Sequence, residues 1–122
     1  MIQEQTLVEI TDNSGARLVQ CIKVLGGSKK KFAKIGDIIK VSVKTVHFNS
    51  KIKKSQIFKA LIIRTKFIFN RQNGEKIKFN DNAAILLQNN GQIIATRVFG
   101  IIIKEIKSEK FSKLISLSNE II

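Results

Sequence analysis

The chain has 122 residues, 43% hydrophobic and 25% charged, which suits one compact domain and excludes a second. Twenty-two Lys and Arg against nine Asp and Glu leave a net charge of +13, a self-repulsion most simply explained by a polyanionic partner. Cys21 is the only cysteine, so an internal disulfide is excluded. No His/Cys cluster suggests zinc, and no apolar run approaches the roughly 18–20 residues of a membrane span.

Period-two alternation dominates the chain from its start. Thr6–Thr11 is a first predicted strand, ended by the turn residues Asp12-Asn13-Ser14-Gly15. Leu18–Leu25 is apolar on both faces apart from Gln20 and Lys23 and reads as a more buried strand, closed by Gly26-Gly27. In Asp37–Phe48, residues Ile39, Val41, Val43 and Thr45 face one way and Lys40, Ser42 and Lys44 the other. This is a half-buried strand with one wet face. Phe58–Phe69 is a long β-branched and aromatic run interrupted by Arg64 and Lys66. Asn73-Gly74 follows as a hairpin signal, because both residues tolerate positive φ. Ala83–Gln88 is the fifth strand, before Asn89-Asn90-Gly91.

Five short antiparallel strands in 122 residues cannot bury two faces as an open sheet, so a small closed barrel is predicted. The fold class is mainly β, one domain over 1–122, with barrel and loops over about 1–103 and a short helical part over about 104–122. In that tail Ile103, Ile106, Phe111 and Leu114 recur at helical spacing, and Ser108 is placed to cap a second helix.

Charge is segregated along the chain. From Lys23 to Lys78 there are sixteen basic and two acidic residues, Asp37 and Glu75, while the rest of the chain is close to neutral. Solubility alone would scatter both signs, so a contiguous binding stretch is expected. Lys29, Lys30, Lys31 and Lys34 follow a glycine pair; Lys51, Lys53 and Lys54 follow Asn49-Ser50. Both groups sit in loop-like sequence from which lysines reach phosphates.

Catalysis finds little material. His47, the only histidine, falls at a strand end, and Cys21 on an apolar strand reads as a small core residue. Asp12, Asp37 and Asp81 stand beside turns, where capping explains them better than acid–base work. Gly26-Gly27-Ser28-Lys29 lacks the Walker spacing. A hydrolase reading therefore fails for want of a base and nucleophile, and no cofactor is expected. A free single-stranded nucleic-acid-binding barrel stays open. Such modules stack bases on surface aromatics; here all eight aromatics are Phe, and Phe58, Phe67, Phe69 and Phe79 fall in or beside strands that need core.

Asp12-Asn13-Ser14-Gly15-Ala16-Arg17 with Cys21-Ile22-Lys23-Val24-Leu25-Gly26-Gly27-Ser28 resembles the opening of the bacterial-type large-subunit ribosomal protein fourteen family. The likeness continues through Gly36-Asp37-Ile38-Ile39, Lys59-Ala60-Leu61-Ile62-Ile63-Arg64-Thr65-Lys66 and Asp81-Asn82-Ala83-Ala84. It closes with Thr96-Arg97-Val98-Phe99-Gly100 and Ser108–Leu117. The resemblance implies a five-stranded barrel with a short helical C-terminal part, held by ribosomal RNA on the inter-subunit face of the large subunit. It implies neighbouring large-subunit proteins, a bridge to small-subunit RNA, and a docking surface for a ribosome-silencing factor that includes Thr96, Arg97 and Lys113. Expected RNA contacts are Lys23, Lys29, Lys30, Lys31, Lys34, Lys44, Lys51, Lys53, Lys54, Arg64, Lys66, Arg71, Lys76, Lys78 and Arg97.

The chain departs from the family pattern in lacking proline after Gly100, near its end, and between Val46 and Lys54. Lysine also replaces many family arginines, keeping charge but giving up the bidentate fork. The start without a presequence and the drift towards Ile, Lys and Asn favour an organelle-encoded protein, mitochondrial before plastid, over a bacterial one.

Overall fold

Alternation builds the first and third strands; the second, apolar on both faces in sequence, leaves Leu18 half-buried and Ile22 exposed, and two unbroken apolar runs build the next pair of the barrel. In a computed structural model, which describes residues 2–48, 50–106 and 112–122, the chain runs β1 (Leu7–Ile10), β2 (Ala16–Val24), β3 (Ile38–Val46), β4 (Ile57–Arg64), β5 (Phe69–Asn70), β6 (Lys76–Ile77), β7 (Ala83–Leu87), β8 (Val98–Ile102), a 3-10 turn at Lys104–Ile106, α1 (Ser112–Leu117) and β9 (Ser118–Ile121). Strands β1-β2-β3-β4-β7 close into a barrel. Four of its five pairings are antiparallel; the closing pair, β1 with β7, is parallel, with Glu9 opposite Ala83 and Ile10 opposite Ala84. Closure therefore comes from a pairing that the all-antiparallel expectation did not contain. Its bonds include Glu9 N–H to Asn82 O (3.0 Å) and Thr11 N–H to Ala84 O (3.2 Å).

One face of every barrel strand points inward. Val8, Val19, Cys21, Ile39, Val41, Val43, Ala60, Ile62, Ala84 and Leu86 fill the interior. Ile2 and Ala33, paired through their backbones (2.9 and 2.6 Å), cover one end, and Ile52 and Ile94 pack at the other. Burial pushes the Cys21 thiol up to about 11, with Glu4 adding to the effect, as suits a small core residue.

A second core lies outside the barrel. Leu61, Ile63, Ala83, Ile85 and Leu87, on the outer faces of β4 and β7, pack with Ile35, Val98, Ile102, Ile103, Ile106 and Leu114. The continuous runs Ala60–Ile63 and Ala83–Leu87 have no polar face because neither face meets water. The tail supplies the cover. Among the described residues it carries the short helical pieces expected, a 3-10 turn and α1, and then ends in β9, which the spacing did not predict and which pairs in parallel with β8. Ser108 and Phe111 lie outside the described residues. Ile101, after Gly100, carries its own N–H where proline would not, and it sits in β8 opposite Glu120.

The predicted strand Phe58–Phe69 stops at Arg64. Thr65 turns the chain by donating its hydroxyl to Phe67 O, and Lys66 N–H bonds Asn82 Oδ1 (2.9 Å). β5 and β6 then form a small hairpin. At its tip only Gly74 takes positive φ (+91°); Asn73 contributes its side chain, accepting Glu75 N–H at 3.0 Å.

Candidate nucleic-acid interface

Strand direction sorts the lysines. The β2–β3 loop and the β4–β7 connection lie at one end of the barrel, and the β3–β4 loop lies at the other. Lys29, Lys30, Lys31, Lys34, Lys66, Lys76 and Lys78 therefore stand exposed at or near the first end, and Lys51, Lys53 and Lys54 at the second. The expected contiguous stretch is divided between two ends of one body.

The wall between those ends carries a row that the sequence did not disclose. Lys23 pairs with Lys40 across β2–β3, and Lys40 with Lys59 across β3–β4. Their neighbours Val24, Ile39 and Ala60 are buried, so all three lysines project outward. Cross-strand partners stand about 5 Å apart at Cβ, and like charges there repel. Lys59 Nζ is partly occupied by Asn89 O (3.2 Å). The sequence singles out neither Lys40 nor Lys59. The alternation of β3 pointed Lys40 to water, but the alignment depends on a register shift between Cys21 and Lys23. Lys44 shares the outer face of β3.

The loops that present the remaining lysines are tied down. Asp37 accepts Lys34 N–H (2.9 Å) and pairs with Lys30 Nζ (3.0 Å), fixing the turn below Lys29 and Lys31. Lys53 N–H bonds Gln56 Oε1 (2.8 Å).

Two residues expected at RNA, Arg64 and Arg71, make internal ties. Arg64 is only 7% exposed. Its Nε and Nη2 donate to Asp81 (3.1 and 3.2 Å), while Nη1 donates to the carbonyls of Phe99 and Ile101 (3.4 and 3.2 Å). Gly100 between those carbonyls has φ +83°, and a Cβ there would lie 2.2 Å from Nη1. Arg71 bonds Glu105 (3.1 Å), faces Glu75 (3.8 Å) and donates to Ile122 O. Both side chains are largely covered, with side-chain exposures of 9% for Arg64 and 11% for Arg71. Arg64 ties β4 to β8, and Arg71 ties the β5–β6 hairpin to the tail.

The Asp12–Gly15 turn is a buckle at the second end. Asp12 is buried and accepts the Ser14 N–H and hydroxyl and Leu86 N–H (3.0 Å). Desolvation raises its pKa above the ordinary aspartate value, and those hydrogen bonds oppose the rise. Asn13 donates to Thr96 Oγ1 (2.7 Å) and accepts Thr96 and Arg97 N–H (2.9 and 3.1 Å). Thr96 and Arg97 are thus adjacent and exposed on a fixed backbone. Lys113 lies in α1, and its side chain is outside the described residues.

The aromatic expectation is corrected. Phe58, Phe69 and Phe79 are half-buried, but Phe67 is exposed at the turn after β4. Phe32, Phe48 and Phe99 are exposed as well. Phe67 leaves the core because the strand ends three residues earlier. Among the described residues, no group of three His, Cys, Asp or Glu could hold a metal.

A plugged barrel with cations on its wall and at both ends defines a basic scaffold protein whose complement is a polyanion. The ribosomal protein L14p/L23e family model matches residues 1–122. The chain is 66% identical over 122 residues, the whole of both chains, to "Large ribosomal subunit protein uL14" of Carsonella ruddii (strain PV). The chain belongs to the ribosomal protein L14p/L23e family.

Proposed function

We propose that the chain is a structural constituent of the large ribosomal subunit, binding its RNA at the inter-subunit face and contributing to a bridge with small-subunit RNA. The full-length family match carries this reading. The distribution of lysine supports it: cations on the wall and at both ends suit a body set into folded RNA rather than one laid along a single strand. RNA helices are met mainly through shape, 2′-hydroxyls and phosphates, and lysine supplies charge and reach there. The contacts proposed are Lys23, Lys29, Lys30, Lys31, Lys34, Lys44, Lys51, Lys53, Lys54, Lys66, Lys76, Lys78 and Arg97, with Lys40 and Lys59 added. Neighbouring large-subunit proteins are further partners. Thr96 and Arg97, held out by Asn13, with Lys113, are the proposed surface for a silencing factor.

The relative at 66% identity is bacterial, so a bacterial-type ribosome is the setting we put forward. Sedimentation of a tagged full-length chain from its native cell tests the reading. Co-migration with the large subunit and its RNA is expected; a chain found free of ribosomal particles contradicts it.

A further inference from the structure

Phe48 is 94% exposed, although the loop around it is fastened. His47 N–H bonds Gly15 O (2.8 Å), Ser50 N–H bonds His47 O (3.3 Å), and Ser50 Oγ donates to Ile52 O (2.9 Å), with Ile52 itself buried. Gly15, at φ +112°, lies so close that a Cβ would stand 2.6 Å from Ser50 Cβ. The chain is pinned before and after a large apolar ring that buries almost nothing.

Phe99, 46% exposed, lines the same open concavity of about 490 Å³. Its backbone is held by a bond to Thr11 O (2.7 Å) and by Arg64. His47 and Lys51 line the concavity too. Among the described residues lining it, the one carboxylate, Asp12, is buried and engaged with Ser14 and Leu86, and Lys51 brings a positive charge.

We infer that Phe48 and Phe99 form a stacking site for an unpaired RNA base turned out of its helix, with Lys51 meeting the phosphate of that nucleotide. This rests on the RNA-binding reading above and adds a contact of a different kind. Bases freed from a helix stack on aromatic rings, and the attraction tolerates any base because each has a π-face. An apolar protein segment seated here would cover the charged Lys51, and protein interfaces are depleted of lysine. A nucleotide meets a counter-ion there.

Two fluorescein-labelled RNA octamers of equal charge, oligouridine and its abasic counterpart, test the inference with the full-length chain at modest ionic strength. The base-bearing octamer should bind about 5–150-fold more tightly. Phe48→Ala should abolish that preference while leaving the abasic affinity and the far-ultraviolet dichroism unchanged; Phe48→Trp should retain it. Equal binding of both octamers by the unaltered chain, or a preference that survives Phe48→Ala, overturns the stacking site and leaves the electrostatic reading standing. Loss of a large-subunit protein from Phe48→Ala particles, with the preference intact, also overturns it and assigns the concavity to a protein. Binding of neither octamer overturns the stacking site, while the large-subunit reading stands or falls on the sedimentation above.

Discussion

The guanidinium of Arg64 meets Asp81 with two nitrogens and turns a third towards the Phe99 and Ile101 carbonyls, an arrangement that needs a planar fork. Lysine offers one ammonium and no fork. Arg64→Lys should lower the unfolding free energy by about 1–3 kcal/mol, the range for charge-assisted bonds in a partly buried site. The salt dependence of RNA affinity should stay unchanged. Urea unfolding and salt titration check the two halves; lost affinity without lost stability would return Arg64 to the RNA surface. Asp12 makes a second prediction. Its folded pKa is raised by desolvation, so above the ordinary value of 3.8 the folded chain keeps a proton that the unfolded chain has released. Its contribution to stability therefore falls as pH rises through the window between the two values. Relative to Asp12→Asn, the unaltered chain should lose stability across that window, and a difference that is flat or of opposite slope contradicts the assignment. The sequence marked Asp12 as a turn residue; its reach to Leu86 N–H, across the barrel closure, was not visible there.

At the scale of the element, the row Lys23–Lys40–Lys59 is an unfavourable feature of the isolated sheet. Lys40→Glu places an anion between two cations. It should stabilise the free protein by up to about 1 kcal/mol and weaken RNA binding, with a shallower salt slope. Thermal unfolding and a salt titration measure the two opposite effects; a fall in both stability and affinity would show that the row serves the fold instead. The five barrel strands were legible because each shows alternation or a compact apolar run between turn residues. Register was not legible, since a single bulge changes which lysines stand opposite. β8 and β9 were missed for a related reason. Val98–Ile102 contains Gly100 and has no alternation, and its partner is parallel and lies beyond α1. Both strands exist because the outer faces of β4 and β7 require cover. The unbroken runs in those strands were the available sign that a second layer had to come from somewhere in the chain.

Across the whole molecule, the +13 charge is arranged around the barrel as two ends joined by a wall, not as one patch. Such a body can touch folded RNA on several sides at once, and its rigidity lets fixed loops act together. If about six to ten phosphates are met, affinity should fall roughly 10³–10⁵-fold between 50 and 200 mM salt. Composition gave the sign of the partner and the ordered motifs gave the family. The spatial division of charge required the topology, because neighbours in sequence here lie at the same end while the next group lies at the opposite one. Lys29, Lys31 and Lys34 are the cleanest probes: they are exposed, whereas Lys30 is paired with Asp37. The direct measurement is the fraction of a Lys29→Glu/Lys31→Glu/Lys34→Glu chain that sediments in large subunits beside the unaltered chain in the same cells. A folded barrel largely excluded from the particle is the predicted result, and undiminished incorporation would contradict the role assigned to those charges.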